Sequence, residues 1–267
     1  MTLFRVNSER TGIGIVARGT TPADKLKLCF YLIARYRPGL WALVQRALGR
    51  AEWCIKVKTA TGHARLVFNP LHTSELTVVD ELLPGDIYAA QCTAAEFIDC
   101  GAFRGISTIY LQDQVKALRV IAYEPQAENF KILTRRLAQY LPGASCVNAA
   151  VGPKSGEVMF GGGGVGGSVN VKGHLVRMLD LRDEFSGSDA ERLLLKMDIE
   201  GAERDVLPDI LPVLPQSCVL FLETHFPQGP SEALVALFRE EGFAVKECRR
   251  RKESGSDVLF IDWELRR

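Results

Sequence analysis

Short apolar segments alternate with amphipathic ones from about residue 96 to residue 241, and this alternation is the clearest pattern in the chain. The apolar segments predict strands at Glu96–Cys100, Arg119–Tyr123, Ser145–Val151, Leu193–Met197 and Cys218–Glu223. The segments between them predict helices that begin near Gly105 and span Ala127–Tyr140 and Ser231–Glu241. Such alternation is typical of an α/β fold, in which helices cover both faces of a mostly parallel sheet.

Two further patterns predict the elements near the two ends of the sequence. The segments Phe243–Cys248 and Val258–Trp263 flank a polar turn, which predicts an antiparallel hairpin at the end of the sheet. Near the amino terminus, residues 23–48 have helical composition interrupted by Pro38-Gly39, so two short helices are predicted. A hairpin (Trp53–Val57 and Ala64–Phe68) and a helix near Thr73–Leu83 follow. Pro84-Gly85 then predicts a boundary between an extension, 1–84, and a main domain, 85–267.

Charge divides the chain in a similar way. Residues 1–60 carry a balance of +8 and the remainder −7, although the whole chain carries only +1. The basic segment could contact anionic lipid, an acidic glycan or its own acidic domain, and its apolar run Leu28–Ala34 could lie in a membrane surface but is too short to span one. Because the basic residues lack interleaved aromatic side chains, we predict no nucleic acid partner. Without a recognisable secretory signal, a cytoplasmic protein is predicted, with peripheral membrane contact left open.

The strand at Glu96–Cys100 runs into a glycine turn with the order Asp99-x-Gly101-x-x-x-Gly105. Gly101 allows the backbone to approach a ligand closely, and Gly105 allows the next helix to pack on the strand. The fingerprint for dinucleotides has a second glycine where this chain has Phe103, so a pyrophosphate is disfavoured. The turn therefore predicts a nucleoside cofactor without phosphates, such as S-adenosylmethionine.

Two further segments support a nucleoside. Glu124 ends the second strand of the predicted sheet, where a carboxylate accepts hydrogen bonds from both hydroxyls of a ribose. The third strand ends in Asn148-Ala149-Ala150-Val151, and these small residues leave room for an adenine ring.

Acidic residues and one histidine follow the fourth and fifth predicted strands. Asp198 and Glu200 come after Leu193–Met197, and Glu200 with Glu203 is predicted to open the next helix and to share one face of it. Glu223 and His225 end the next strand and share one side of it by the two-residue period. His225 is the predicted general base, because its ordinary pKa is near neutrality, and Asp198 could instead take the proton or hold the amino acid part of the cofactor. Glu200 and Glu223 complete the predicted catalytic set as the residues that orient them. We predict no metal, although Asp198, Glu200, Glu223 and His225 could alternatively bind a divalent cation.

The glycine-rich stretch Gly161–Gly167 lacks the lysine of a phosphate-binding loop, and we interpret it as a lid or a loop that lines the acceptor site.

Several ordered motifs resemble the FkbM-type S-adenosylmethionine-dependent methyltransferases over about residues 70–262. They are FIDCGAFRG, AYEPQAENF, VNAAVG, VNVKGHLVRMLDL, LKMDIEGAE, FLETH and a Gly-Phe pair before the last hairpin. The resemblance implies the class I methyltransferase fold, a Rossmann-like sheet of seven mostly parallel strands whose last strand is antiparallel. It also implies methylation of a hydroxyl group on a sugar, a glycolipid or polysaccharide, or a secondary metabolite.

The resemblance assigns roles to individual residues of the motifs. The amino acid and ribose portions of the cofactor would contact the glycine turn, through Asp99, Gly101, Ala102, Phe103 and Gly105. Glu124 would hold the ribose, and Ala150 with Val151 would border adenine. Phe103-Arg104 departs from the Asn-hydrophobic pair that is common in the family's turn, which places the local contacts in question.

Two other classes of function remain open from the sequence. A nucleotide-dependent oxidoreductase or epimerase of the NAD type would share the sheet and the ribose-binding acid. A non-catalytic methyltransferase-like module could use the basic segment on a membrane surface. The sequence does not identify the methyl acceptor or the oligomeric state.

Overall fold

The computed structural model describes residues 12–36, 52–83, 88, 92–162, 168–169, 172–185, 191–227, 232–252 and 258–267. Contacts divide the chain into two compact units. The first comprises Met1–Gln91 with Ile106–Val115, and the second comprises Cys92–Gly105 with Lys116–Arg267. The predicted boundary at residues 84 and 85 lies outside the described residues and stays a prediction.

The first unit contains four helices and a two-stranded antiparallel sheet among its described residues. In chain order they are α1 (Gly12–Ala17), α2 (Pro22–Tyr36), β1 (Trp53–Thr59), β2 (Gly62–Phe68), α3 (Thr73–Leu82) and α4 (Ile106–Val115). Helix α2 begins with a reciprocal cap, in which Asp24 N donates to Thr21 Oγ1 and Thr21 N donates to Asp24 Oδ2, both at 3.1 Å. The predicted hairpin is present, whereas α1 was not predicted and the predicted helix after Pro38 lies outside the described residues.

Helix α4 belongs to the first unit although it follows the glycine turn in sequence. It packs against β2, and the Arg65 guanidinium binds the Asp113 carboxylate of α4 at 2.7 Å. The hairpin supplies much of the buried apolar surface of this unit, since Ile55, Val57 and Leu66 are fully buried. The charged and apolar contacts together fix α4 on the hairpin.

The second unit contains eleven strands in two sheets among its described residues. The strands are β3 (Glu96–Cys100), β4 (Arg119–Tyr123), β5 (Ser145–Val147), β6 (Ala150–Gly152), β7 (Gly156–Gly161), β8 (Ser168–Val169), β9 (His174–Asp180), β10 (Arg192–Met197), β11 (Ser217–Pro227), β12 (Ala244–Lys252) and β13 (Val258–Arg266). The larger sheet has seven strands in the order β12-β13-β11-β10-β3-β4-β5. Its pairs are parallel from β5 to β11, and β13 is antiparallel to both of its neighbours.

This topology confirms the predicted fold class. The first strand of this sheet in sequence, β3, is an interior strand between β10 and β4, and the last strand, β13, is inserted antiparallel between β11 and β12. The carboxyl ends of β3, β4, β10 and β11 therefore meet at one edge, which is where ligands of such sheets bind. The chain has the Rossmann-like sheet of class I methyltransferases.

The third predicted strand is divided in two. It ends at Val147, and Ala150–Gly152 instead pairs with β9 in a second sheet of order β6-β9-β7-β8. The break occurs because Ala149 N turns back to Val147 O at 3.1 Å and the Asn148 side chain donates to Glu124 O at 2.8 Å. The second sheet was not predicted, and residues 163–167 of the predicted lid lie outside the described residues.

The helices of the second unit are α5 (Ala127–Tyr140), α6 (Leu181–Phe185), α7 (Glu203–Ile210) and α8 (Glu232–Glu240). Buried aliphatic side chains of β10 and β11 form one core with α7 and with Trp263 of β13. The sequence places Glu200 and Glu203 together on the first turn of a helix. In the structure Glu200 precedes α7 in a left-handed turn, with a φ of 57°, because the helix begins only at Glu203.

Among the described residues, no helix combines the length and the apolar character that crossing a membrane requires.

Candidate active site

Backbone hydrogen bonds connect the glycine turn after β3 to the ends of the two neighbouring strands, β4 and β10. Gly101 N and Ala102 N both donate to Tyr123 O, at 3.1 and 2.9 Å, and Asp198 N donates to Cys100 O at 3.0 Å. Gly101 has a φ of +82°, and a Cβ at this position would lie 1.8 Å from the carbonyl oxygen of Asp198. From the sequence this glycine is expected to make room for a ligand, whereas in the structure the backbone of Asp198 itself requires it.

The second glycine of the turn also makes a protein contact. Gly105 has a φ of +79°, and a Cβ there would meet Leu133 Cδ1 of α5 at 2.9 Å. Gly105 is therefore needed for packing against α5. Between the two glycines, Phe103 adopts a φ of 51°, a left-handed backbone conformation that residues other than glycine rarely adopt. Such strain persists only where the surroundings fix the backbone, and here the amide of Phe103 is held by Glu124.

Glu124 lies at the carboxyl end of β4, directly beside the glycine turn. Its carboxylate is 5% exposed and accepts hydrogen bonds from Phe103 N at 2.9 Å and from Gln126 N at 2.8 Å. Burial raises the pKa of Glu124 to about 7, although the two backbone donors act in the opposite direction. Each oxygen has one partner and a further lone pair, so the ionised carboxylate can still accept from the two hydroxyls of a ribose.

The residues predicted to border adenine do not belong to the seven-stranded sheet. Ala150 and Val151 belong to β6 in the second sheet, and both side chains are buried, with Val151 in the main core. Asn148, two residues before β6, donates to Glu124 O and to Pro125 O. Asn148 thus connects the end of β5 to the segment that follows Glu124, a role that the sequence analysis missed.

Asp99 and Lys196 form a buried ion pair beneath the turn. Lys196 Nζ lies 3.2 Å from Asp99 Oδ1, donates to Gly101 O at 3.2 Å and lies 3.8 Å from Asp198 Oδ2. Burial alone would lower the pKa of Lys196, but the carboxylates of Asp99 and Asp198 raise it, so the side chain is charged. Lys196 was not predicted as a site residue, although a lysine inside an apolar strand is itself a signal.

Four carboxylates surround the imidazole of His225. Its Nε2 lies 3.5 Å from Glu200 Oε2, 3.6 Å from Glu223 Oε1 and 3.7 Å from Asp198 Oδ1. On the other side of the ring, Nδ1 lies 3.0 Å from Glu203 Oε1. The structure therefore brings together all four residues that were predicted to be catalytic, and it adds Glu203 to them.

Glu203 holds the imidazole in place. Its fully buried carboxylate accepts from Ile199 N at 3.1 Å and from Gly201 N at 2.9 Å, and it contacts His225 Nδ1. Burial alone would lower the pKa of His225, but Glu203, Asp198 and Glu200 together raise it to about 10. In this arrangement the imidazole is protonated at neutral pH. This differs from the neutral base that the sequence predicts, because the sequence does not show how many carboxylates meet at the ring.

Asp198 connects the two parts of the site. Its Oδ2 faces Lys196 below the glycine turn, and its Oδ1 faces His225. The Oδ1 atom is buried and accepts no hydrogen bond from the part of the chain that the structure describes. The glycine turn, Glu124 and the carboxylate–histidine cluster therefore lie along one edge of the sheet, with Asp198 shared between them.

Comparison with known proteins finds solved structures of similar fold. No protein-family model matches it, and no curated protein matches its sequence. Among solved structures, TYW2 of M. jannaschii in complex with AdoMet is similar, with a TM-score of 0.46 and 14% identity, over 82% of this chain and 89% of that chain. Precorrin-6y C5,15-methyltransferase from Geobacter metallireducens GS-15 has a TM-score of 0.41 and 11% identity, over 67% of this chain and 83% of that chain. At such identities the likeness concerns the fold alone.

One prediction about partners is corrected by the same comparison. The tRNA methyltransferase TrmK of B. subtilis is similar in fold, with a TM-score of 0.39 and 15% identity, over 65% of this chain and 59% of that chain. Nucleic acid was excluded as a partner because the basic residues lack interleaved aromatic side chains. That exclusion is wrong, because a chain of similar fold is named for its action on tRNA.

Proposed function

We propose that this protein is an S-adenosylmethionine-dependent methyltransferase. The observation that carries the proposal is the position of Glu124, buried at the end of β4 and bonded to the amide of Phe103 in the glycine turn. In a sheet of this strand order, that position faces the edge where a nucleoside binds. Asp99, Gly101, Ala102, Phe103 and Gly105 would contact the amino acid and ribose portions, and Ala150 with Val151 would border adenine.

The acceptor that we propose is a hydroxyl group, and the FkbM-type motifs support this choice. The sulfonium already has a good leaving group, so the protein must mainly align the acceptor oxygen with the methyl group and remove one proton. The cluster of Asp198, Glu200, Glu223 and His225 lies at the same sheet edge as Glu124. Asp198 is the candidate for accepting the proton at neutral pH, whereas His225 can accept it only after its imidazolium has lost its own proton. Glu200 with Glu223 would orient these two residues.

The sheet topology argues against the oxidoreductase alternative. The dinucleotide-binding fold has the parallel order 3-2-1-4-5-6, whereas here the antiparallel strand β13 separates β11 from β12. The glycine turn also has Phe103 in place of the glycine that admits a pyrophosphate. A methyltransferase therefore accounts for more of the structure than an NAD-dependent enzyme does.

Calorimetry with S-adenosylhomocysteine tests the proposal. We expect the wild type to bind this product and Glu124→Ala to lose the binding, while Glu128→Ala, an exposed acid on α5, behaves as the wild type. NAD is titrated in parallel and should not bind. Binding of NAD in preference to S-adenosylhomocysteine, or no binding of either, would contradict the assignment.

The catalytic roles need a separate measurement. Once an acceptor is found, transfer of a labelled methyl group at saturating cofactor should be lost or strongly reduced in His225→Ala and in Asp198→Asn. If both variants transfer methyl groups at the wild-type rate, the cluster does not remove the proton. Mass spectrometry of the product distinguishes an ether from a methylated nitrogen, and a methylated nitrogen would refute the hydroxyl as acceptor.

A further inference from the structure

We propose that Asp198, Glu200 and His225 form a binding site for a divalent cation, coordinated by Asp198 Oδ1, Glu200 Oε2 and His225 Nε2. From the sequence no metal is predicted, and a cation at these residues is the alternative. The binding itself does not depend on methyl transfer, whereas the role that we give the ion rests on the proposed function.

The distances within the cluster suit a shared ion better than direct hydrogen bonds. One ligand atom from each of the three residues lies within 4.8 Å of the other two. The distances from His225 Nε2 to Glu200 and to Asp198, 3.5 and 3.7 Å, exceed those of a good hydrogen bond. Two atoms that each bind one ion at about 2.1 Å lie up to about 4.2 Å apart, so the two distances from His225 Nε2 match those within a coordination sphere.

The orientation of the imidazole is a second and independent observation. Metal-binding histidines commonly donate their other ring nitrogen to a carboxylate, which fixes the tautomer and directs the free nitrogen at the metal. His225 Nδ1 has such a partner in Glu203 at 3.0 Å, and a cation bound at Nε2 would take the place of the second proton that the imidazole otherwise holds. Glu203 is itself held by Ile199 N and Gly201 N, so the ring cannot turn without breaking a buried network.

The charge of the cluster also favours a cation. Asp198, Glu200, Glu203 and Glu223 lie around a single imidazole, and Lys196 Nζ lies 3.8 Å from the other carboxylate oxygen of Asp198, Oδ2. The buried Oδ1 atom of Asp198 points into this cluster and accepts no hydrogen bond from the described residues. A buried carboxylate oxygen without a donor is costly, and a bound cation would satisfy it.

The mixture of ligands indicates the class of ion. Carboxylate oxygens suit Mg²⁺ and Mn²⁺, whereas imidazole suits transition metals, so Mn²⁺ is a suitable representative of the ions that accept both. A cation at this position could bind the acceptor's hydroxyl and lower the pKa of its proton. Asp198 and His225 would then be ligands, and the polarised hydroxyl would release its proton to solvent as its oxygen takes the methyl group from the sulfonium, which leaves as the neutral thioether.

Electron paramagnetic resonance with Mn²⁺ tests the site directly, because the bound ion loses the sharp signal of free Mn²⁺. The full-length protein is first dialysed against a chelator and then titrated with MnCl₂. We expect about one ion per chain in the wild type, and loss of that site in His225→Ala and Asp198→Asn. Asp205→Asn, which removes an exposed acid on α7, should bind as the wild type. Circular dichroism confirms that each variant is folded before it is compared.

A milder variant keeps the test informative if either ligand variant unfolds. Glu203→Gln preserves size but weakens the partner of His225 Nδ1, and we expect about 10–100-fold weaker Mn²⁺ binding with the fold intact. Wild-type protein that binds no Mn²⁺, or folded ligand variants that bind it as tightly as the wild type, would refute the site. S-adenosylhomocysteine binding is measured on the same samples, so a failed metal site is distinguishable from a failed methyltransferase.

Discussion

Replacing Gly101 by alanine tests the closest backbone contact in the candidate site. The new Cβ would lie 1.8 Å from the carbonyl oxygen of Asp198 and 2.9 Å from its carbonyl carbon. Both atoms belong to the backbone, so no side-chain rotation relieves the contact. The strand end at Asp198 or the turn at Gly101 must therefore move.

The expected loss of stability has two parts that a control separates. An L residue at a φ of +82° costs about 1–3 kcal/mol, and overpacking of a tight contact costs about 1–3 kcal/mol more. Gly242 has the same φ of +82°, but the nearest atom to its added Cβ is Arg267 Nε at 4.0 Å. Gly242→Ala should therefore show the backbone cost alone, and Gly101→Ala should lose the larger free energy of unfolding.

Urea unfolding followed by circular dichroism measures the difference, and calorimetry with S-adenosylhomocysteine measures its effect on the site. We expect Gly101→Ala to weaken ligand binding, because Asp198 moves with its carbonyl group, and Gly242→Ala to leave it unchanged. Equal free energies of unfolding for the two variants would show that the backbone of Asp198 does not approach Gly101 as closely as the structure describes.

Two further predictions concern buried charges. The pKa of Glu124 is raised from 4.5 to about 7, so the folded protein holds a proton between these values that the unfolded chain has released. Stability should therefore fall by about 3 kcal/mol as the pH rises through this window, and urea unfolding of Glu124→Gln should lack that slope. Lys196→Met leaves the buried carboxylate of Asp99 without its cation and should lower the free energy of unfolding by about 3–5 kcal/mol. Lys246→Met removes an ion pair at the surface and should lower it by about 0–1 kcal/mol in the same urea unfolding assay. Equal losses for the two lysine variants would contradict the burial of Lys196.

The sequence predicted the elements whose patterns are local. The strands at Glu96–Cys100 and Arg119–Tyr123 and the helix Ala127–Tyr140 agree with the structure at both ends. Their apolar runs and amphipathic faces have the period of the element that forms. The antiparallel hairpin at the end of the chain was predicted for the same reason, although its strands extend further than the apolar residues do.

The second sheet was not predicted because its pattern is weak. In β9, His174–Asp180, exposed and buried positions alternate only in part, and Leu175 is exposed. The predicted strand Ser145–Val151 divides at Asn148 because its side chain bonds to a neighbouring segment. That bond joins residues 24 positions apart, and no local pattern records it. The same limit applies to α4, whose place in the first unit depends on contacts with β2.

The candidate site shows what sequence spacing can and cannot provide. The period of a strand predicted that Glu223 and His225 lie together, and the parallel sheet predicted that Asp198 ends beside them. Neither indicates how many carboxylates reach one ring, yet that number determines whether the imidazole is a neutral base, a charged donor or a metal ligand.

Asp198 explains why the cofactor turn and the carboxylate–histidine cluster should behave as one unit. Its carbonyl group limits Gly101 to glycine, its Oδ2 lies near the lysine that binds Asp99, and its Oδ1 faces His225. A ligand that moves the turn therefore moves a carboxylate of the cluster, and an ion bound by that carboxylate opposes movement of the turn. Linkage requires the effect to be reciprocal, so S-adenosylhomocysteine and Mn²⁺ should change each other's affinity by the same factor. Because Gly101→Ala separates the two backbones, the coupling should weaken in that variant even where each ligand still binds alone.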